Sequence, residues 1–287
     1  MMEVRTYTHG PGKLSTKVMV SDEKGFCVTS TLIMGQHDCV LVDTQWTRAN
    51  AYRVIAEIAE TNLNLKAVFC THAHPDHYWG SGYIQQAFPD AIVYAMPEDI
   101  DVIKAQFNDK TEHWENVIGK VDLCRLMPEF TPLPENNIIE LEGEEIQVLP
   151  KLWGDLKYNT AVWVPSIKTL MGSDILFSNA HPFTCEVSAN GRRKWIKEIE
   201  GLETLGAEVI IPGHVKPGEP FDERTFKFTK DYLVATEEEL AKTKDMKEFF
   251  YDMCLRFPDA NLIFLSNDMN SSVFLGGREW NWSDMDD

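Results

Sequence analysis

The sequence contains no long apolar run and has few basic residues for its acidic content. No window of the 287 residues approaches the roughly 18 to 20 unbroken apolar residues of a membrane-spanning helix. Residues 1–17 hold no apolar stretch of signal-peptide length. Lys and Arg number 27 against 45 Asp and Glu, a formal charge of −18. Because this charge repels phosphate backbones and anionic lipids, we expect a soluble, cytoplasmic protein with no nucleic-acid or membrane partner.

The sequence also lacks any CxxC pair and any short-period repeat. Six cysteines scattered over so long a chain do not resemble a disulfide framework, so we expect most of them to be buried, reduced thiols. Hydrophobic residues make up 44% of the chain and aromatic residues 11%, which is enough for a sizeable core and excludes a wholly disordered protein. The cysteines are Cys27, Cys39, Cys70, Cys124, Cys185 and Cys254.

Helical and strand patterns alternate along the chain. Two β-branched runs, Thr29–Met34 and residues 39–42, flank a turn-rich tetrad and predict a hairpin. Residues 47–61 carry apolar side chains at helical spacing, with Thr47 as the N-cap, and a buried strand follows at residues 66–70. The order predicts two mixed β-sheets covered by helices. Since no linker interrupts it, we predict one domain over residues 1–287, with a core at about 14–215 and a helical extension at about 221–287.

Two later strand patterns each run into a polar motif. Residues 169–171 are predicted to form a strand, and Gly172-Ser173-Asp174 follows them. Residues 208–211 are predicted to form a second strand, which ends at Pro212-Gly213-His214. We therefore expect Asp174 and His214 to lie beyond the ends of these two strands.

Three imidazoles and a carboxylate lie within six residues in His72-Ala73-His74-Pro75-Asp76-His77, directly after the strand at residues 66–70. Loops at strand ends are where rigid scaffolds present functional side chains. Neutral imidazole nitrogens and carboxylate oxygens are ligands that borderline metals such as Zn²⁺ prefer. With only eight histidines in the chain, a chance cluster of three is a poor explanation. The segment therefore predicts a metal site.

This segment matches the HxHxDH signature of the metallo-β-lactamase superfamily, and the sequence resembles that family further in the same order. Leu41-Val42-Asp43-Thr44 is similar to the family's early strand, which ends in a structural Asp. Gly172-Ser173-Asp174 stands where the family has its metal-bridging Asp, and Ile211-Pro212-Gly213-His214 is similar to its last metal-binding His. The resemblance implies an α/β fold, a four-layer αββα sandwich, with the site on one edge between two sheets and usually two Zn²⁺ ions.

The resemblance also implies a ligand set, with one departure. The family usually has a His, often as Gly-His-Thr, about 20 residues before the bridging Asp, whereas this chain has Trp153-Gly154-Asp155-Leu156. Asp155 is a competent oxygen ligand that would shift the first site modestly toward Mn²⁺ or Fe²⁺. The alternative is an ordinary turn residue beside a weak or water-completed site. One ion would take His72, His74 and Asp155, the second would take Asp76, His77 and His214, and Asp174 would bridge them.

Other side chains near these motifs have two interpretations each. His181 could line the pocket, bind an oxyanion or move a proton, or it could be a packed loop histidine. Trp46, Tyr78 and Trp79 could form an aromatic wall for an apolar substrate, or they could belong to the core. The aromatic tail could cover the site or make a homodimer contact, with core packing as the default; its members are Phe274, Trp280 and Trp282.

The chemistry predicted from these motifs is hydrolysis. Two metal ions would lower the pKa of water and supply hydroxide for attack on a carbonyl, with Asp76 and His181 as candidates for orienting hydroxide or relaying protons. No Gly-x-Ser-x-Gly elbow competes. We therefore predict a zinc-dependent hydrolase of a small-molecule lactone, lactam, ester or thioester. The alternatives are a nuclease or phosphodiesterase, which the charge of −18 disfavours, a mononuclear iron oxygenase, and a metal-free binding module.

Overall fold

The computed structural model describes residues 2–10 and 12–280. Within them, twelve strands form two mixed β-sheets. The first sheet consists, in this order across it, of β1 (Glu3–Thr8), β2 (Ser15–Val20), β3 (Thr29–Met34), β4 (Asp38–Val42), β5 (Asn64–Phe69), β6 (Ile92–Ala95) and β7 (Phe130–Pro132). The second consists, again in order, of β8 (Ile138–Leu141), β9 (Glu144–Leu152), β10 (Asn159–Val164), β11 (Thr169–Ser178) and β12 (Val209–Val215).

Helices connect and follow these strands. They are α1 (Arg48–Ala59), α2 (Pro75–Tyr78), α3 (Ser81–Ala87), α4 (Pro97–Ile118), α5 (Ala189–Glu203), α6 (Arg224–Lys242), α7 (Met246–Arg256) and α8 (Asp268–Leu275). None of the helices in residues 2–10 and 12–280 combines the length and apolarity that crossing a bilayer would demand.

The chain divides into two compact units. The first unit comprises the residues up to 148 together with residues 162–167, and the second comprises residues 149–161 and those from 168 onward. The single-domain interpretation stays a prediction.

In the first unit, an antiparallel half of the sheet passes into a parallel half. Strands β1 to β4 pair antiparallel, which confirms the predicted hairpin of β3 and β4, whereas β4 to β7 pair parallel. Helix α1 connects β4 to β5, and the Thr47 hydroxyl caps it by accepting a hydrogen bond from the Asn50 N–H at 3.2 Å, as predicted. Because β4 and β5 are parallel neighbours, their carboxyl ends lie side by side.

In the second unit, β11, α5 and β12 form a parallel βαβ arrangement. Every residue of β11 is buried, as expected for a parallel strand covered on both faces. Helix α5 packs on this strand, and its Trp195 indole donates to the Ile175 carbonyl at 2.8 Å. Its N-cap is Ser188, whose hydroxyl accepts from the Gly191 N–H.

Both of these strands are longer than the sequence pattern predicts. Asp174 lies inside β11 rather than beyond its end, and His214 lies inside β12. The expectation that both follow strand ends is therefore wrong. Asp174 and His214 interrupt the apolar pattern, so the sequence suggests that each strand ends before them. A buried strand nevertheless tolerates a carboxylate or an imidazole that has a specific partner.

The residues after β12 are helical, as predicted. Helices α6 and α7 pack together around Tyr232, Phe249 and Met253, which are all buried. Phe274 of α8 joins this cluster with its ring centroid 5.9 Å from that of Phe249, so it is a packing residue. Trp280 donates a hydrogen bond to Glu186, and Trp282 lies outside the described residues.

The cysteines confirm the expectation of reduced thiols. All six are free, and all but Cys254 are buried. Burial raises the pKa of Cys39 and of Cys124 to about 12, so these sulfurs behave as small apolar side chains.

Candidate functional site

The histidine-rich motif lies at the carboxyl end of β5 and runs into helix α2. Pro75 occupies the first turn of this helix, where its missing N–H has no intrahelical bond to make. The histidines are packed against one another, since the ring centroid of His72 lies 4.9 Å from that of His74 and 4.3 Å from that of His77. His72 and His77 are fully buried. The structure therefore gathers the motif's imidazoles into one compact group.

Asp43 follows the end of the neighbouring strand β4 and anchors the histidine motif through hydrogen bonds. Its carboxylate accepts hydrogen bonds from the Thr71 N–H and hydroxyl, both at 2.9 Å, and from His77 Nδ1 at 2.8 Å. Burial raises the pKa of Asp43, and the His77 imidazole opposes that effect. Because a carboxylate is an acceptor, His77 carries its proton on Nδ1, which puts the ring's lone pair on Nε2. Asp43 thus fixes both the orientation and the tautomer of His77.

Asp76 stands beside that nitrogen. One of its carboxylate oxygens lies 3.8 Å from His77 Nε2, and the residue is 8% exposed. In the first unit, His77 Nε2 and the Asp76 carboxylate are therefore close neighbours.

In the second unit, Asp174 and His214 come together on adjacent parallel strands. His214 Nε2 lies 3.0 Å from Asp174 Oδ2, and the His214 ring stacks on Phe177 with an interplanar angle of 6°. The register shows how this is achieved: between the pairs Ser173–Pro212 and Phe177–His214, β11 advances four residues while β12 advances two. This bulge turns the Asp174 side chain toward β12.

Asp155 lies in the same unit as a buried residue with hydrogen-bond partners, and its role as a metal ligand stays a prediction. It is 0% exposed, its Oδ1 accepts from the Asn159 side-chain amide at 2.8 Å, and its backbone N–H donates to the Asp174 carbonyl at 3.3 Å. The close approach requires Gly154, where a Cβ would meet the Asp174 carbonyl oxygen at 2.9 Å. The loop therefore presents Asp155 next to Asp174.

His181 is held in a different set of contacts. It is 0% exposed, its Nδ1 lies 2.9 Å from the Tyr232 hydroxyl, and its backbone N–H donates to the Asn261 carbonyl. Burial lowers its pKa to about 4, so the imidazole is neutral at pH 7. The interpretation as a packed histidine fits these contacts, and its catalytic role stays a prediction.

The aromatic side chains near the motif belong to the core. Trp46, Tyr78 and Trp79 are 1% exposed or less and lie in the hydrophobic cluster of the first unit. Trp46 stacks on Trp79 with ring centroids 6.0 Å apart. They do not form an exposed aromatic wall.

Two residues that the sequence interpretation missed lie behind the histidine motif. Helix α4 buries Asp99 and Lys110, each 4% exposed, and the Lys110 ammonium donates to the Ala73 carbonyl at 3.2 Å. The signal was available, because Asp99, Ile103, Phe107 and Lys110 share one helical face. Two titratable side chains on an otherwise apolar helix face indicate that they have specific partners in the fold.

Comparison with known proteins shows the family. The model of the metallo-beta-lactamase superfamily matches residues 25–214. The chain belongs to the metallo-beta-lactamase superfamily. The match begins before β3 and ends at His214, so it includes the histidine-rich motif, Asp155 and Asp174.

Solved structures of this superfamily share the fold. The metallo-beta-lactamase from Pontibacter korlensis is 19% identical, with a TM-score of 0.56, and the alignment covers 82% of this chain and 99% of that one. Metallo-beta-lactamase IND-7 is 21% identical, with a TM-score of 0.57, over 81% of this chain and 98% of that one. These likenesses confirm the expected αββα fold class of two mixed sheets flanked by helices.

Curated relatives carry two different names. Metallo-beta-lactamase IND-1 of Chryseobacterium indologenes is 24% identical over 194 residues, 67% of this chain and 73% of that protein. Hydroxyacylglutathione hydrolase of Acaryochloris marina is 36% identical over 72 residues, 25% of this chain. The match spans only 26% of that enzyme, and comparably short stretches of the same enzyme from two other bacteria. The superfamily is shown, and the substrate is not.

Proposed function

We propose that this superfamily member is a metal-dependent hydrolase that opens a small acyl substrate: a lactone, lactam, ester or thioester. The observation that carries the proposal is the burial of seven His and Asp side chains that could hold a metal ion. Relatives named as beta-lactamases and as hydroxyacylglutathione hydrolases support acyl hydrolysis as the reaction class. The net charge of −18 favours a small-molecule substrate over a nucleic acid.

The donor set fits zinc, and we assign two ions per chain. Imidazole nitrogen and carboxylate oxygen are ordinary zinc ligands, and burial removes the water that would otherwise compete for them. We assign the first ion to His72, His74, Asp155 and Asp174 and the second to Asp76, His77 and His214, and we propose that Asp174 would also bind the second ion.

The chain's own residues would prepare these ligands. Asp43 fixes His77 as the Nδ1–H tautomer, which puts the lone pair on Nε2, the nitrogen that would bind the second ion. Phe177 holds the His214 ring by stacking. Ions held there would lower the pKa of water toward neutrality and polarise the acyl carbonyl. Asp76, whose carboxylate lies 3.8 Å from His77 Nε2, would orient that water or accept its proton.

Asp155 would set the metal preference of the first site. Its burial and its hydrogen bond from Asn159 support a role as ligand in place of the His that the family usually has. A second carboxylate beside Asp174 adds negative charge and favours harder ions such as Mn²⁺ or Fe²⁺ at this position. Asp155→His should therefore raise the ratio of Zn²⁺ to Mn²⁺ retained by the protein severalfold, as measured by metal analysis after loading with equal concentrations of both.

Metal analysis and a substrate panel test the proposal together. The purified protein should hold two zinc equivalents, and it should hydrolyse lactone, lactam or thioester probes in a chelator-sensitive manner while bis-p-nitrophenyl phosphate is spared. Asp174→Asn and His214→Ala should each lower turnover by more than the roughly 10–100-fold that losing an outer partner of a ligand costs. His37→Ala, at an exposed histidine of the β3–β4 turn, is the matched control and should leave turnover unchanged.

The other outcomes identify the competitors. One iron per chain with oxygen consumption would replace the hydrolase by an oxygenase of the same fold. Preferential cleavage of the phosphodiester would replace it by a phosphodiesterase. Absence of stoichiometric metal in folded protein, with no activity after metal is supplied, would overturn the proposal.

A further inference from the structure

Helix α4 places two charged side chains against the histidine motif, and the proposed chemistry does not use either of them. Asp99 and Lys110 are each 4% exposed in the core of the first unit. Charged side chains are seldom buried to this degree without a specific partner, because each loses its hydration. A pair of apolar residues of similar volume would pack there at lower cost. The burial of Asp99 and Lys110 therefore needs an explanation other than packing.

Lys110 contacts the backbone between the two histidines of the proposed first site. Its ammonium donates to the Ala73 carbonyl at 3.2 Å, across 37 positions of sequence. Ala73 separates His72 from His74, so this bond fixes the peptide that carries both imidazoles. A charged donor to a neutral carbonyl is among the stronger hydrogen bonds. The loop is thereby tied to a helix of 22 residues.

Asp99 is the other titratable side chain that α4 buries beside the motif. Burial raises the pKa of Asp99 well above its ordinary value and Glu98 adds to that rise, whereas His74 and Lys110 oppose it. Asp99 Oδ2 has no hydrogen-bond partner within the described residues. The carboxyl group therefore favours its neutral form, and the hydrogen bond of Lys110 is the contact that ties this helix to the motif.

We propose that Lys110 is a positioning residue for the first metal ion: its hydrogen bond to the Ala73 carbonyl holds the backbone so that His72 and His74 converge. The inference rests on the proposed function, since it supposes that these histidines hold an ion. Removing a cation near a metal site favours metal binding electrostatically. A weaker affinity in a variant without Lys110 therefore reports lost positioning.

The test measures the two stepwise metal affinities separately. Apo-protein is titrated with Zn²⁺ against a chromogenic chelator, and Asp155→Asn identifies which of the two constants belongs to the first ion. Lys110→Met should weaken that constant by roughly 10–100-fold and leave the second within about threefold. Lys104→Met, at an exposed position of the same helix, should change neither constant. If Lys110→Met does not fold, Lys110→Gln takes its place.

A second measurement uses the unaltered protein. In ¹⁵N-labelled wild-type protein, the Lys110 ammonium resonance should shift with the first zinc equivalent, whereas that of Lys104 should not. Unchanged affinities, a tighter first ion, an equal loss at both ions, or an ammonium resonance that ignores zinc would overturn the inference. Those results leave the hydrolase proposal intact provided that the wild-type protein binds two ions, and a wild type without metal would defeat the proposed function instead.

Discussion

Single atoms decide whether the proposed ligands of the second unit, Asp174 and His214, can approach each other. A Cβ on Gly213 would stand 2.0 Å from Asp174 Oδ1 and 2.6 Å from the Ser173 carbonyl carbon, both far inside contact distance. The strand must therefore carry glycine directly before His214. Its role is to leave room for a neighbouring carboxylate, and its backbone conformation is an ordinary one.

Gly213→Ala should displace Asp174 and weaken both metal binding and stability. We expect a loss of about 1–3 kcal/mol in the free energy of unfolding, typical of an overpacked buried position, as measured by urea denaturation. Gly201→Ala is the matched control, because a Cβ there meets no atom within 4 Å. It lies in α5 and should stabilise the protein by about 0.5–1 kcal/mol through helix propensity. Equal behaviour of the two variants would contradict the steric explanation.

His181 should make stability depend on pH. Its pKa is about 4 in the folded protein, compared with an ordinary value of 6.5, because burial disfavours the charged ring. Between these values the unfolded chain binds a proton that the folded chain does not. The stabilising contribution is therefore fully present above pH 6.5 and is lost as the pH falls toward 4, by about 3 kcal/mol.

His181→Gln should flatten the fall in unfolding free energy between pH 6.5 and pH 4, which denaturation at several pH values would show. An unchanged slope in the His181 variant would mean that other groups cause the acid sensitivity.

At the scale of elements, the capping of α1 offers a quantitative check. The Thr47 hydroxyl accepts from the Asn50 N–H at 3.2 Å, and the Asp122 carboxylate accepts from the Ala49 N–H at 2.7 Å. Thr47→Ala should lower the free energy of unfolding by about 1 kcal/mol. Thr47→Ser keeps the oxygen and should retain most of that stability, as compared by thermal denaturation. A loss of equal size in both variants would point to the methyl group and its packing.

Elements with strong local signals could be predicted from sequence. The hairpin of β3 and β4 and helix α1 with its cap follow from turn residues and apolar spacing, which act over a few positions. The ends of β11 and β12 could not be found in this way. Asp174 and His214 interrupt the apolar pattern, and only their mutual contact makes the interior of a strand tolerable for them.

The same distinction applies to the candidate site. The histidine motif and Asp43 are adjacent to predicted strand ends, so local reasoning reaches them. Lys110 contacts Ala73 from 37 positions away, and Asn159 supports Asp155 only because the loop between them closes. Such partners depend on the packed fold. A search for charges on the apolar faces of predicted helices would have found Asp99 and Lys110.

For the whole molecule, bound metal and fold stability should be coupled. All seven donor side chains of the proposed sites are buried. Four of them are imidazoles and three are carboxylates. Without cations, the clustered carboxylates repel one another, and the chain's net charge of −18 adds to the repulsion. Ions that bind only the folded state stabilise it by an amount that grows with the logarithm of their free concentration.

Removal of metal should therefore lower the melting temperature, and Zn²⁺ should restore it. At a free concentration about 100 times the dissociation constant, one ion contributes about 2.7 kcal/mol, which is several degrees for a chain of this size. Calorimetry of chelator-treated and reloaded protein measures the difference. Addition of NaCl to the apo-protein separates the two causes, because salt screens the carboxylate repulsion but cannot replace coordination. Full recovery of the melting temperature by salt alone would show that charge repulsion, and not ligation, controls the stability.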